Sequence, residues 1–585
     1  MSRALRRTSS RLHRSGARHF SAAAPVLGQD HRLVVASPAP PLQLPAPGSL
    51  PNFSDFICSG FAKNGDKPAV VVDNPEGPAD VRTFADLLAD VGSVAHELRS
   101  VLGFCPGDRA LLISPNHADY FTAVHAVLKL NGVLSPANPL YSATEIGRQL
   151  EDCEATVVMA HPCCLEKALE AVRASGRADA ISVLVLGADA PAGATPLDAL
   201  KGTGAAAPLL GAVEDDQLAV LPYSSGTTGM PKGTMLTHRN LIANVLQFEF
   251  VDGRFWSRGG ETLVSPLPFF HIYGFTASLN ISLYYDCTCV TMPAFDLERF
   301  LSLVQERRCT RAQLVPPIIL GLAKHPLVDS YDLSSLKTIV SGAAPLAREV
   351  GNDLGIVVAV RVRMSLGVVV KQAWGMSELA PIGSVNPDGD NRPGSSGVAV
   401  ASMLYKIVDP ESGELLPRGE EGEVVCTGPN VMAGYLNNPE ANAHAFDADG
   451  WFRTGDIGYA DEDGYLYFTD RLKELIKYKG FQVPPAELEA LLLSHPQIVD
   501  SAVIPVPSDT AGEVPRAFVT LAPGADFDAD SIAAWVAERV APHKKLRGGV
   551  VQMVAPDAIP KSAAGKILRR VLVQRNKAGE FDPQA

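Results

Sequence analysis

The chain has 585 residues, 46% hydrophobic and 20% charged, with a formal net charge of −13. That length exceeds what one hydrophobic core organises, so at least two domains are expected. The acidic balance argues against a nucleic-acid binder. Nine cysteines are scattered without a C-x-x-C pair, and Cys163-Cys164 and Cys287-x-Cys289 lack the spacing of a zinc site. Buried free thiols in a reducing compartment, and no structural metal, are expected.

Residues 1–20 hold six arginines, four serines and no acid. This is the composition of a mitochondrial presequence. Import into the matrix is expected; a disordered basic arm or a misplaced start codon, with a cytoplasmic protein, is the other reading. The C-terminus, Asp582-Pro583-Gln584-Ala585, is not a peroxisomal signal. Residues 21–50 are rich in Pro and Ala and read as a flexible lead-in. Then apolar strand-like runs alternate with amphipathic helices. Ala69 to Val72 is a strand, and Thr83 to Leu98 a helix with Phe84, Leu87, Leu88, Val91 and Val94 on one stripe. Arg109 to Ser114 is a strand and Asp119 to Asn131 a helix. This alternation predicts parallel sheets covered by helices. No uninterrupted run reaches transmembrane length, because Arg361 and Arg363 break the apolar stretch 356–370.

Ser224-Ser225-Gly226-Thr227-Thr228-Gly229, followed by Met230-Pro231-Lys232-Gly233, follows a strand at Ala219 to Pro222 and precedes a helix at Arg239 to Phe248. Glycines let the backbone approach an anion, successive N–H groups can cradle phosphate oxygens, and Lys232 adds a charge. The P-loop NTPase pattern is absent, because its second glycine falls on Pro231. A plain Gly/Ser/Thr linker is the alternative. Thr262 to Pro266 and Thr338 to Val340 read as further strands, the latter running into Ser341-Gly342-Ala343-Ala344-Pro345. Such exits at strand ends are where open α/β sheets place ligands. The β-branched stretch 355–370 reads as a divergent strand or an error in the gene prediction. A strand at Gly464 to Phe468, a boundary near Asp470 and a helix at Pro485 to Leu493 predict a small domain of about a hundred residues after it.

The segment from Tyr223 to His238 resembles the AMP-binding signature of the adenylate-forming enzymes, among them acyl-CoA synthetases, 4-coumarate–CoA ligases, beetle luciferases and peptide-synthetase adenylation domains. The resemblance recurs in order at Pro268 to Tyr273, Ser341 to Leu346, Gln372 to Glu378, Gly450 to Gly458, Asp470 to Glu489 and Ile559 to Arg569. It covers about residues 50–575 and is strongest toward 4-coumarate–CoA ligase and its "like" relatives. It implies an α/β fold: a large domain of helix-covered, mostly parallel sheets with a small β-barrel-like subdomain (51–470), hinged to a small α+β domain (471–575) and a tail (576–585). It also implies a reaction. A small carboxylic acid attacks ATP to give an acyl-AMP, and CoA then displaces AMP to give a thioester, with Mg²⁺ assisting.

The resemblance assigns residues as well. Ser224 to Gly229 with Lys232 would hold the outer phosphates. Glu378 would hold Mg²⁺, Ser377 would contact the α-phosphate, Trp374 would stack on adenine, and Gln372 would belong to the nucleotide site. Asp456 would accept the ribose hydroxyls beside Arg471. Alone, each of those two reads more readily as surface charge. Lys566 would bridge the substrate carboxylate and the α-phosphate, and because it lies on the second domain the chemistry requires closure. Lys473 matches the hinge, while Lys477, Lys479 and Gly480 would serve CoA. His271 would position the carboxylate; as a lone His it reads as structural.

Tyr273, Ala277, Ala344, Gln372, Ala373, Pro381 and Ile382 map to the coumarate pocket. Ala277 stands where the family has a serine, and Ala373 where it has a glycine, which makes the pocket less polar and slightly smaller. Hydroxycinnamate, cinnamate-like or medium-chain acids are all consistent with it. Ala294 replaces a CoA-contacting lysine. A luciferase-like oxygenase and a non-catalytic nucleotide-binding relative are the other readings, and a monomer or homodimer is expected.

Overall fold

The computed structural model describes residues 33–581 apart from 47, 75–76, 192, 205–206, 209, 225–230, 252–255, 344–366, 388, 480, 509, 555–558 and 563–565. The expectations for 1–20, for most of the lead-in, for 355–366, and for Ser225 to Gly229, Ala344 and Gly480 lie outside the described residues.

Parallel strands buried on both faces need continuous apolar runs, and this chain supplies them. Leu111, Leu112 and Ile113 are fully buried on strand Arg109–Ile113, as is the whole of Val133–Ala137. With Val157–Ala160, Ser182–Val185 and Thr195–Pro196 they form the parallel body of a seven-stranded sheet. A nine-stranded sheet beside it has a parallel centre: Val369–Gly375, Thr338–Ser341, Arg311–Leu314, Thr262–Val264, Thr288–Thr291 and Pro68–Val72. A five-stranded antiparallel sheet completes the large part of the molecule, ending with strands Phe452–Ala460 and Leu466–Arg471. After Arg471 the chain enters a separate sheet built on the long hairpin Ile498–Ser508 and Gly512–Leu521, packed by helix Pro485–Ser494. The architecture is α/β with an α+β C-terminal part.

Thr83 and Asp86 form a reciprocal capping box that starts helix Phe84–Ser100. Its buried stripe is Phe84, Leu87, Val91, Val94 and Leu98, whereas Leu88 is 40% exposed. At 100° per residue Leu88 falls about 80° from the middle of that stripe, so the expected stripe is corrected there. The thiol expectation is also corrected in part. All nine cysteines are free, but Cys163 is exposed and Cys58 and Cys105 are half-buried. Cys163 sits in the short turn Pro162–Cys164 at the end of a strand, where nothing covers its outer side. The phosphate loop joins two strands, because Tyr223–Ser224 pairs with Lys232–Gly233, and helix His238–Val251 follows. Among the described residues, no helix is long and apolar enough to cross a membrane.

Candidate active site

Register places the first half of the site. Gln372 pairs with Ser341 at the carboxyl end of the parallel strands, where an open sheet leaves room for a ligand. Trp374 follows two residues later and faces the antiparallel sheet. There Asp456 and Arg471 are directly opposed on adjacent strands. The Arg471 guanidinium lies 3.2 Å from Asp456 Oδ1, and the Trp374 indole N–H donates to Asp456 Oδ2 at 2.8 Å. Phe468, on the strand that carries Arg471, stacks on Trp374 with ring centres 4.2 Å apart and planes 10° from parallel.

A second group lies beside the phosphate loop. Ser377 opens the short turn Ser377–Leu379 that carries the buried Glu378. Tyr435 donates its hydroxyl to Glu378 Oε1 at 2.8 Å, and Lys232 Nζ stands 5.0 Å above the same ring. Burial, then the Glu378 charge, pushes the Tyr435 phenol well up, so it stays a donor. The backbone locks this arrangement. Met235 N donates to Gly434 O at 2.9 Å, Leu436 N to Gly233 O at 2.8 Å, and Met432 N to Glu378 O at 2.8 Å. Nothing local in the sequence marks Tyr435. Its partner is 57 residues away, and the one usable signal was that its segment must pair with the strand leaving the phosphate loop.

The C-terminal domain supplies the opposite wall. Ser562 N donates to Lys566 O at 2.7 Å and Lys566 N to Ser562 Oγ at 3.1 Å, which ties the lysine's backbone to Ser562. Arg569 anchors this segment through both Glu489 oxygens and through Glu474. Burial, with the Arg471 charge pressing the same way, pulls the Lys566 ammonium down to about 8. Gln372, Ala373, Trp374, Asp456, Arg471 and Lys566 line one cavity of about 290 Å³ between the domains. Ala343 lines it too, with φ of 71°, a left-handed backbone uncommon for alanine. Burial, then the Lys566 charge, holds the His271 imidazole down at about 4. Tyr273 N donates to His271 Nδ1 at 3.3 Å, so the neutral ring carries its proton on Nε2 and can donate there.

Other singled-out residues stand apart from this cavity. The Tyr273 hydroxyl donates to Gln313 Oε1 at 2.9 Å, and its ring covers Gly342, where a Cβ would come within 2.8 Å. Ala277 is packed in the core, and Pro381 and Ile382 are both buried. Lys473, Lys477, Lys479 and Ala294 are exposed and line no part of the cavity. Ser224 ends the first strand of the phosphate hairpin.

Comparison with known proteins follows the same lines. The AMP-binding enzyme model matches residues 60–436, and the AMP-binding enzyme C-terminal domain model matches 487–566. The chain belongs to the adenylate-forming, AMP-binding enzyme family. It is 38% identical to 4-coumarate–CoA ligase 5 of Oryza sativa subsp. japonica over 91% of this chain and 96% of that one. It is 36% identical to 4-coumarate–CoA ligase 1 of Petroselinum crispum over 94% and 98%. Among solved structures, an anthranilate CoA ligase in complex with anthranoyl-AMP superposes with a TM-score of 0.80 at 26% identity, covering 91% of this chain and 98% of that one. The protein is an ATP-dependent acid–CoA ligase.

Proposed function

We propose that this enzyme activates a hydroxycinnamate, cinnamate-like or medium-chain acid. The observation that carries the reading is the convergence of Lys566 from one domain with Asp456, Arg471 and Trp374 from the other on a single cavity. Attack of a carboxylate on the α-phosphorus brings two anions together, so the reaction needs positioned positive charge more than a nucleophile. Lys566 supplies that charge at the junction of carboxylate and α-phosphate. It is poised to do so, because burial strips it of competing water. His271, neutral at physiological pH, donates from Nε2 to the acid and orients it. The acid is already ionised, so no general base is required. Asp456 receives the ribose, and Trp374 and Gln372 border adenine. Lys232 and the phosphate loop hold the outer phosphates.

Glu378 fits a hard divalent cation. It is a buried carboxylate with one oxygen held by Tyr435, and its other oxygen has no hydrogen bond among the described residues. With Ser377 it would hold Mg²⁺, which would offset phosphate charge. CoA enters after the small domain turns about Lys473 and brings Lys477 and Lys479 toward the acyl-AMP. The methyl of Ala373, on the cavity wall where the family has a glycine, makes the pocket smaller and less polar and favours apolar acids over strongly hydroxylated ones. The presequence-like first 20 residues support work in the mitochondrial matrix.

The test is pyrophosphate release from ATP across hydroxycinnamates, cinnamate, benzoates and C6–C12 fatty acids, with and without CoA. Turnover on cinnamates or medium-chain acids supports the reading. Turnover confined to benzoates overturns the substrate class, and silence across all acids overturns the assignment of the cavity.

A further inference from the structure

The bond between Trp374 and Asp456 has no part in stacking on a base, and it bears on the sugar. A carboxylate has about four acceptor directions on its two oxygens. Here Oδ1 meets the Arg471 Nε at 3.2 Å and Oδ2 takes the indole N–H at 2.8 Å, while the Asp456 amide donates to Thr454 Oγ1 at 3.1 Å. The torsion that sets a carboxylate plane is intrinsically broad. An ion pair on one oxygen and a hydrogen bond on the other restrain that rotation. The indole is itself immobile. It stacks on Phe468, and it lies so close over Gly383 that a Cβ there would come within 2.4 Å of its Cζ3. Tyr405 meets it edge-on with ring centres 6.1 Å apart. Asp456 is 6% exposed and lines the cavity. Its remaining acceptor directions are therefore fixed in space before any ligand arrives.

We propose that Trp374 is a positioning residue for Asp456, and that its indole N–H sets how strongly the enzyme distinguishes a ribonucleotide from a deoxyribonucleotide. The inference rests on the reading of Asp456 as the ribose acceptor. A site built to bond a hydroxyl rejects the analogue lacking it only when the acceptor is held in place. Among aromatic side chains a phenyl ring preserves the flat face and loses the donor. A phenol carries its hydroxyl at the far end of the ring axis, not on the edge that faces Asp456.

The experiment measures kcat/KM for acid-dependent pyrophosphate release with ATP and with 2′-deoxy-ATP. It compares the wild-type enzyme, Trp374→Phe and Asp456→Asn. For Trp374→Phe the expected result is a fall of about tenfold in the ATP to 2′-deoxy-ATP ratio, the worth of one oriented hydrogen bond to a charged group. The change is read in the ratio, because any loss of contact with the base falls on both nucleotides alike. Replacing the indole by the isosteric benzothienyl side chain, which lacks only the N–H, should give the same fall and covers the case in which the phenyl variant does not fold. Equal losses on both nucleotides, with Asp456→Asn still collapsing the ratio, would leave Trp374 as a stacking surface and overturn the proposal alone. An unchanged ratio in Asp456→Asn would remove the ribose reading, and the proposal with it.

Discussion

The two walls of the cavity hold their charges by different means. On the large-domain side, Asp456 on the cavity wall and Glu378 beside the phosphate loop sit on or beside strands, each steadied by a neutral ring donor, Trp374 or Tyr435. On the small-domain wall, Lys566 rides a loop tied down by ion pairs, Arg569 with Glu474 and Glu489, and Lys561 with Asp500 at 2.7 Å. A sheet register supplies geometry without further help, whereas a loop has to be fixed by its side chains. The first wall is therefore expected to be robust and to tune affinity. The second is expected to be fragile and to control rate.

Removing the charge that the C-terminal domain contributes is the sharpest break. Lys566→Ala should slow acyl-AMP formation by about 10²–10³-fold, the scale of losing one transition-state donor. Preformed acyl-AMP should still react with CoA at close to the wild-type rate. Equal loss in both half-reactions would show that the lysine stabilises the fold rather than the adenylation transition state.

The anchor of that lysine comes next. Arg569→Met leaves the buried Glu489 and the half-buried Glu474 without their cation, and losing one partner of a buried pair costs about 3–5 kcal/mol. Asp470 adjoins this cluster. Burial raises its carboxyl to about 7, although the Arg569 charge pulls it down. A carboxyl raised on folding binds more protons in the folded state, so stability falls as pH rises from about 4 toward 7. Without Arg569 that fall should steepen. Urea denaturation of Arg569→Met at pH 5 and pH 8 checks this, and a pH-independent loss would exclude the charge argument.

Lys566 also sharpens the contrast through pH. Its proton is held with a pKa of about 8. The lysine must be charged to act, so adenylation should fall about tenfold per unit once pH is well above 8. The thioester half-reaction should not share that limb. Lys566→Arg should move it upward, because a guanidinium stays charged.

How far the sequence could have gone differs between the walls in the same way. Strand alternation and the boundary near Asp470 follow from local periodicity and turn residues, whereas the hairpin that closes on the phosphate loop was not read from them. Gln372, Trp374, Asp456, Arg471 and Lys566 were each visible within a short motif, though their meeting at one cavity is a product of register and domain closure. Side-chain partnerships between distant segments were not legible. Phe468 on Trp374, Tyr435 on Glu378 and Arg569 on Glu489, 80 residues apart, depend on which strands become neighbours. Leu88 and Cys163 were misjudged for a related reason: residue type does not say what covers the rim of a stripe or the outside of a turn.

Tyr435 gives the mildest test and the most specific one. Its hydroxyl holds Glu378 and its ring faces Lys232, so Tyr435→Phe removes the first contact and keeps the second. Losing a hydrogen bond to a buried carboxylate costs about 1.5 kcal/mol or somewhat more, roughly a tenfold change in binding. If Glu378 holds the cation, the variant should weaken ATP binding measured calorimetrically with Mg²⁺ and leave metal-free ATP binding unchanged. Equal weakening under both conditions would mean that Tyr435 acts through Lys232 and the phosphate loop. The large-domain wall would then depend on its loop as the small-domain wall does, and the contrast between them would fail.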